Sequence, residues 1–213
     1  MVTLSSILDN DFYKFTMQQC VVKLFPKAKA RYRFINRGKH AFPDGFAEAL
    51  RSSVDAMASL KLTPEEKQWF AQTCPYLDPV YMDFLQGYCY DPSEVSISQD
   101  GESVNVSVEG WWYRTILWEV PLLCLISENF YYLQFIQRDS DNAVIERTKK
   151  KIEAYADLGV TIAEFGTRRR HSYNVQQLVV KALKQFGKTF VGTSNVHLAM
   201  VADTKPIGTH AHE

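Results

Sequence analysis

Between residues 161 and 209 the chain repeats one ending three times: Phe165-Gly166-Thr167, Val191-Gly192-Thr193 and Ile207-Gly208-Thr209. Each falls in a short run with strand character, VTIAEFGT, KTFVGTS and KPIGTHAHE. Helical stretches separate them. SYNVQQLVVKALKQF, capped by Ser172 and stopped by Gly187, fills the first gap, and NVHLAMVAD fills the second. Strands joined through helices lie parallel, so this half of the chain predicts βα units. In α/β barrels the carboxyl ends of such strands carry the chemistry. A glycine at each end lets backbone approach a ligand closely. The residues after each turn are chemically useful: Arg168, Arg169 and Arg170, then Ser194 and Asn195, then His210 and His212. Arginine matches carboxylate and phosphate bidentately, and helices starting near Ser172 and Ser194 add N-terminal amides. The pattern predicts an anion-binding pocket at the shared strand ends. One of Arg169 and Arg170 is expected to face the site and the other a salt bridge, with nothing in the sequence to say which.

The first part of the chain has a different texture. SSILDNDFYKFTMQQCVVKLF predicts an opening helix with Asp9 or Asn10 as N-cap and Phe15, Val22 and Phe25 on its apolar face. AKARYRFINR alternates, with Ala28, Ala30, Tyr32 and Phe34 on one side, as a half-buried strand does. Thr63, Pro64 and Glu66 form a capping-box helix start, and VSISQDGESVNVSV reads as a hairpin around Asp100-Gly101. TILWEVPLLCLISENF reads as a buried helix kinked near Pro121. RDSDNA is a polar linker before the amphipathic helix IERTKKKIEAYADLG, which ends at Gly159. The predicted fold class is α/β: an α+β N-terminal domain over residues 1–140, then the first part of an irregular α/β barrel over 141–213.

Composition narrows the function. Hydrophobic residues at 46% and aromatics at 13% exclude disorder. Lys plus Arg equals Asp plus Glu at 24 each, so no global field recruits nucleic acid. The longest apolar stretch is broken by Glu119, Pro121 and Glu128, too short between charges to span a membrane, and the opening MVTLSSILDNDFYK has acidic residues early and no apolar core of signal-peptide length. Cys20, Cys74, Cys89 and Cys124 form no C-x-x-C pair, which predicts reduced thiols in a cytoplasmic protein, not a disulfide or zinc framework.

Read in order, DNDFYKFTMQQ, ILWEVPLLCLISE, EFGTRRRHS, FVGTSNVHLA and KPIGTHAHE resemble the nicotinate phosphoribosyltransferase family. The resemblance implies a type II phosphoribosyltransferase: an N-terminal α/β domain against an irregular barrel, in homodimers with sites at the interface. It implies transfer of phosphoribosyl from 5-phosphoribosyl 1-diphosphate to nicotinate, giving nicotinate mononucleotide and pyrophosphate in NAD salvage. ATP hydrolysis assists, which places the activity in the ATP-dependent ligase class, with Mg²⁺ on the diphosphate. By the same resemblance, Tyr13 stacks on the pyridine ring from the neighbouring subunit and Phe165 is the opposing ring. Arg168 lies near the ring carboxylate and ribose phosphate, Thr209 contacts nicotinate, and His212 is the catalytic histidine that ATP phosphorylates. Nicotinamide-using relatives carry an acid where this chain has Ser194. A serine hydroxyl can donate to a carboxylate, so Ser194 favours nicotinate. Family chains continue further, and residues 1–213 alone are expected not to turn over.

Other readings of the same residues stand beside this one. His210 and His212 as H-x-H on a strand end suit a metal-dependent hydrolase, although no Asp or Glu ligand pattern accompanies them and no metal site is assigned. A nicotinamide-using phosphoribosyltransferase is a second alternative, and a binding fragment without activity a third. Tyr13 and Phe165 also suit ordinary core positions. His197 is expected to pack within its helix, and His40 and His171 to lie on the surface.

Overall fold

The computed structural model describes residues 2–208. Thr209, His210 and His212 lie outside them. In the first region β1 (Lys29–Arg33), β2 (Val95–Asp100) and β3 (Ser103–Trp111) form an antiparallel sheet in the order β1-β3-β2. The hairpin turns where the sequence placed it, with Asp100 opposite Ser103. Val104, Val106 and Val108 bury one face of β3, the period-two signature of a sheet wet on its other side. Helices α2 (Phe46–Ala56), α3 (Pro64–Thr73) and α4 (Pro79–Gly87) complete this region. The capping box is formed: Thr63 Oγ1 accepts from the Glu66 amide at 3.1 Å, and Glu66 Oε2 accepts from the Thr63 amide at 2.9 Å. The other Glu66 oxygen accepts from the Ser6 hydroxyl, tying this cap to the N-terminal segment.

Two helix readings are corrected. The opening helix α1 spans Phe12–Leu24 and is capped at Asp11, not at Asp9 or Asn10. Phe15 is fully buried, but Val22 is half-buried and Phe25 is 50% exposed beyond the helix end. The apolar stretch divides into α5 (Trp112–Thr115) and α6 (Glu119–Leu133), which puts Pro121 in the first turn of α6. A first-turn proline lacks only an N–H that has no intrahelical partner, so it starts this helix without kinking it. The Leu117 carbonyl one turn before it accepts from Asn10 Nδ2 at 3.0 Å instead.

The second region begins with α7 (Asp141–Asp157), which absorbs half of the expected linker because Ser140 caps it by accepting from the Ala143 amide. At its end Gly159 takes φ +67, while its amide donates to Ala156 O and that of Val160 to Tyr155 O, the paired bonds of a Schellman stop. Next along the chain come β4 (Ile162–Glu164), α8 (Tyr173–Phe186), β5 (Phe190–Thr193) and α9 (Val196–Val201). Strands β4 and β5 pair in parallel, and a third begins beside β5, where the Ile207 amide donates to Thr193 O at 2.9 Å. The fold is α/β, as expected. Gly192 is needed by the strand pairing itself: it sits at φ +145, and a Cβ there would come within 2.2 Å of the Lys205 carbonyl on the third strand. Among the described residues no helix is long and apolar enough to cross a membrane.

The two regions meet through the N-terminal segment. Asp11 bridges antiparallel to Asn195, the Phe12 amide donates to Ser194 O at 2.7 Å, and the Val196 and His197 amides donate to Asn10 O and Leu8 O. The turn after β5 is therefore stitched to the residues that open α1.

Candidate functional site

At the carboxyl end of β4 the chain turns through Thr167–Arg169, and Arg168 points to this seam. Its Nε donates to Asp11 Oδ2 at 3.0 Å, Nη1 to Glu119 Oε1 at 3.3 Å and Nη2 to the Tyr13 hydroxyl at 3.0 Å. The remaining Asp11 oxygen accepts from the Ser194 hydroxyl at 2.7 Å, which explains why this N-cap residue makes no cap bond of its own. Lys14, fully buried, forms an ion pair with the other Glu119 oxygen. Two cations thus face two carboxylates in one connected cluster. Burial works against the Arg168 charge, yet Tyr13, Asp11 and Glu119 outweigh it and raise its pKa. Burial pushes the Tyr13 phenol up, keeping it neutral and able to donate as well as accept.

Beside it lies a deeper cluster. The Arg170 side chain, 2% exposed, holds Asp9 bidentately at 2.7 and 2.8 Å and Glu128 at 2.6 Å, and reaches Gln176 at 3.2 Å. Asn195 donates from Nδ2 to Asp9 while its Oδ1 caps α9 at the Leu198 amide. Burial pushes the Glu128 carboxyl up despite Arg170. Glu164, at the end of β4, accepts from the Thr193 hydroxyl at 2.6 Å, the Gly166 amide at 2.5 Å and Gln176 at 3.1 Å; burial raises its pKa too.

These contacts answer the question left open by the sequence. Arg170 is the buried structural cation and Arg169 is exposed. Arg168 and Arg170 are both ion-paired within the protein. Sequence reading missed Asp9 and Asp11 as arginine partners, as well as Lys14, Glu119, Glu128 and Glu164. A signal was available in Glu119 and Glu128, charges set in an otherwise apolar helix, since buried charges need partners.

The expected ligand residues are placed unevenly. Tyr13, Arg168 and Ser194 come together; Tyr13 is 6% exposed and bonds Arg168 of its own chain. Ser194 is fully buried and its one proton goes to Asp11. Phe165 is 40% exposed and lines a cavity of about 570 Å³ between α7, α8 and β4, which Tyr13, Arg168 and Ser194 do not line. Thr209 and His212 lie outside the described residues, as does the H-x-H pair. His197 does not pack within its helix alone: its Nδ1 meets the Tyr173 hydroxyl of α8 at 2.9 Å, and burial lowers its pKa. His40 is exposed; His171 is half-buried and stacks on Tyr131 at 4.7 Å.

Two family models match the chain: the nicotinate phosphoribosyltransferase N-terminal domain over residues 8–127, and the nicotinate phosphoribosyltransferase family over residues 160–213. Among curated proteins, the nicotinate phosphoribosyltransferase of Chromohalobacter salexigens is 62% identical over 99% of this chain, and that of Desulforapulum autotrophicum 43%. Among solved structures, nicotinate phosphoribosyltransferase from Porphyromonas gingivalis superposes with a TM-score of 0.92 at 43% identity over 99% of this chain. In each case the chain spans 54% of the relative's length.

Proposed function

Because the chain belongs to the nicotinate phosphoribosyltransferase family, we propose that its protein transfers the phosphoribosyl group of 5-phosphoribosyl 1-diphosphate to nicotinate. The products are nicotinate mononucleotide and pyrophosphate, an NAD-salvage step. The observation that carries this is Arg168, held at the end of β4 by Asp11, Glu119 and Tyr13, with its side chain one-third exposed. A guanidinium fixed on three sides is pre-oriented to receive a carboxylate, and nicotinate has one.

The ring nitrogen attacks the anomeric carbon as the bond to pyrophosphate breaks. Positive charge develops on the ribose and negative charge on the leaving group, so orientation and electrostatic stabilisation dominate. Arg168 orients the base and Tyr13 backs Arg168; Phe165 and Tyr13 are the two rings that the family resemblance assigns to the base. Thr209 is a further base contact. The cluster of Lys14, Arg168, Asp11 and Glu119 is charge-balanced, so the phosphates need cations from elsewhere in the protein. Mg²⁺ bound to the diphosphate would offset charge on the leaving group. Among the described residues no group of three or more His, Cys, Asp or Glu could hold a metal, so none of the described side chains is assigned a ligand role.

ATP assists through His212, whose neutral imidazole is nucleophilic near neutral pH. The phosphohistidine adds negative charge at the site rim and couples ATP hydrolysis to substrate binding. The protein acts in the cytoplasm as a homodimer with sites at the subunit interface. Incubation with radiolabelled ATP, at a chain length that supports turnover, should give an acid-labile, alkali-stable label that His212→Ala abolishes. Equal labelling of the variant would move the role elsewhere.

A further inference from the structure

The seam assigns acid-versus-amide selectivity differently from the sequence. We infer that Asp11 is a specificity-positioning residue: by taking the Ser194 proton and the Arg168 Nε–H, it leaves Arg168, not Ser194, to tell a carboxylate from a carboxamide. This rests on the function proposed above.

The argument begins with proton counting. A hydroxyl has one proton, and a charged carboxylate only accepts, so the 2.7 Å contact fixes Ser194 as donor to Asp11. Ser194 is fully buried, and what it could still offer a ligand is lone pairs. Lone pairs repel a carboxylate and suit an amide N–H. Ser194 in this state therefore cannot be what prefers the acid.

Arg168 can be. A guanidinium has five N–H donors in a fixed plane. Nε–H goes to Asp11, one Nη1 hydrogen to Glu119 and one Nη2 hydrogen to Tyr13. Among the described residues these are its three acceptors, so one N–H on each terminal nitrogen has no acceptor there, and two such donors can serve the two oxygens of a carboxylate as a fork. A carboxamide has one acceptor oxygen and would turn its NH₂ against the second donor. Asp11 anchors the only Arg168 nitrogen that carries a single proton, and so sets the plane of the fork. Its other oxygen is occupied by Ser194, which keeps that carboxylate from rotating.

The test compares nicotinate and nicotinamide as substrates, with kcat and KM determined separately, in protein of a length that turns nicotinate over. Asp11→Asn places an amide against Nε–H and should release the fork. The nicotinate KM should rise roughly tenfold or more with a smaller change in kcat, and the preference for nicotinate should fall by a similar factor. Arg168→Lys, which keeps the charge and loses the fork, should lower the preference likewise. Ser194→Ala should weaken both bases together and leave their ratio within about threefold. A folded Asp11→Asn protein with an unchanged ratio overturns the inference. So does a tenfold fall of the ratio in Ser194→Ala, which decides the matter even if Asp11→Asn does not fold. An unsubstituted protein that prefers nicotinamide would instead overturn the function on which the inference stands.

Discussion

The two regions of this molecule are held together by different physics. From Leu4 to Ile126 the first region has one continuous apolar core, joined by Val196 of α9, in which Phe15, Phe46, Leu50, Phe70 and Leu85 are wholly shielded from water. The βα region has a small apolar cluster of its own, Val180, Leu198 and Ala202, and its strand ends are organised by ion pairs and hydrogen bonds. Apolar burial is non-directional and tolerates small displacements, whereas a bidentate guanidinium–carboxylate pair fixes distance and angle. The region that carries the candidate site is the one built from directional contacts. Its partners, Asp9, Asp11, Lys14, Glu119 and Glu128, are supplied by the apolar region, so the rigid core serves as the platform on which the site is aligned.

The sharpest way to break this contrast is a matched pair of substitutions. Arg170→Met leaves Asp9 and Glu128 buried without their cation and should cost about 3–5 kcal/mol. Phe70→Ala opens a cavity in the first core at a similar cost of about 3–5 kcal/mol. Their pH dependence should separate them in urea denaturation. The Arg170→Met loss should shrink toward acid pH as Glu128, whose pKa is already raised by burial, takes up a proton, while the Phe70→Ala loss stays flat.

A smaller effect probes the first region alone. Thr63→Ala removes half of the capping box and should cost about 1 kcal/mol in thermal or urea unfolding. It should leave the selectivity between bases untouched, because Thr63 contacts none of the site residues.

The smallest expected effect sharpens the contrast from the polar side. Burial raises the Glu164 carboxyl, so the folded protein binds this proton more readily than the unfolded chain does. Its contribution is greatest below the ordinary carboxylate pKa and is lost as pH rises through the raised value. Glu164→Gln should remove that part of the slope in stability against pH. An unchanged slope would mean that the hydrogen bonds from Thr193, Gly166 and Gln176 fully offset desolvation.

Much of the architecture was legible because its causes are local. The Thr63 capping box, the Asp100-Gly101 turn, the alternation through Tyr32 and the Ser172 cap all depend on neighbours a few residues apart. The misreadings came where distant groups claimed a side chain. Asp9 and Asn10 have the right chemistry to cap α1, but Asp9 is held by Arg170 and Asn10 by the Leu117 carbonyl. Gly192 looked like a ligand-facing glycine, and it is the third strand that needs its bareness. Ser194 looked like a donor to substrate until Asp11 proved to hold its proton.

The sequence by itself determined the repeated strand–turn–helix units, the antiparallel hairpin and the family to which the chain belongs, because spacing, capping and turn chemistry act over a few residues. Only the tertiary structure decided which arginine is buried, which carboxylates neutralise it and where the Ser194 proton points. Those outcomes depend on groups about 40 to 180 positions apart in the chain, as a buried charge takes whatever partner the fold brings within reach.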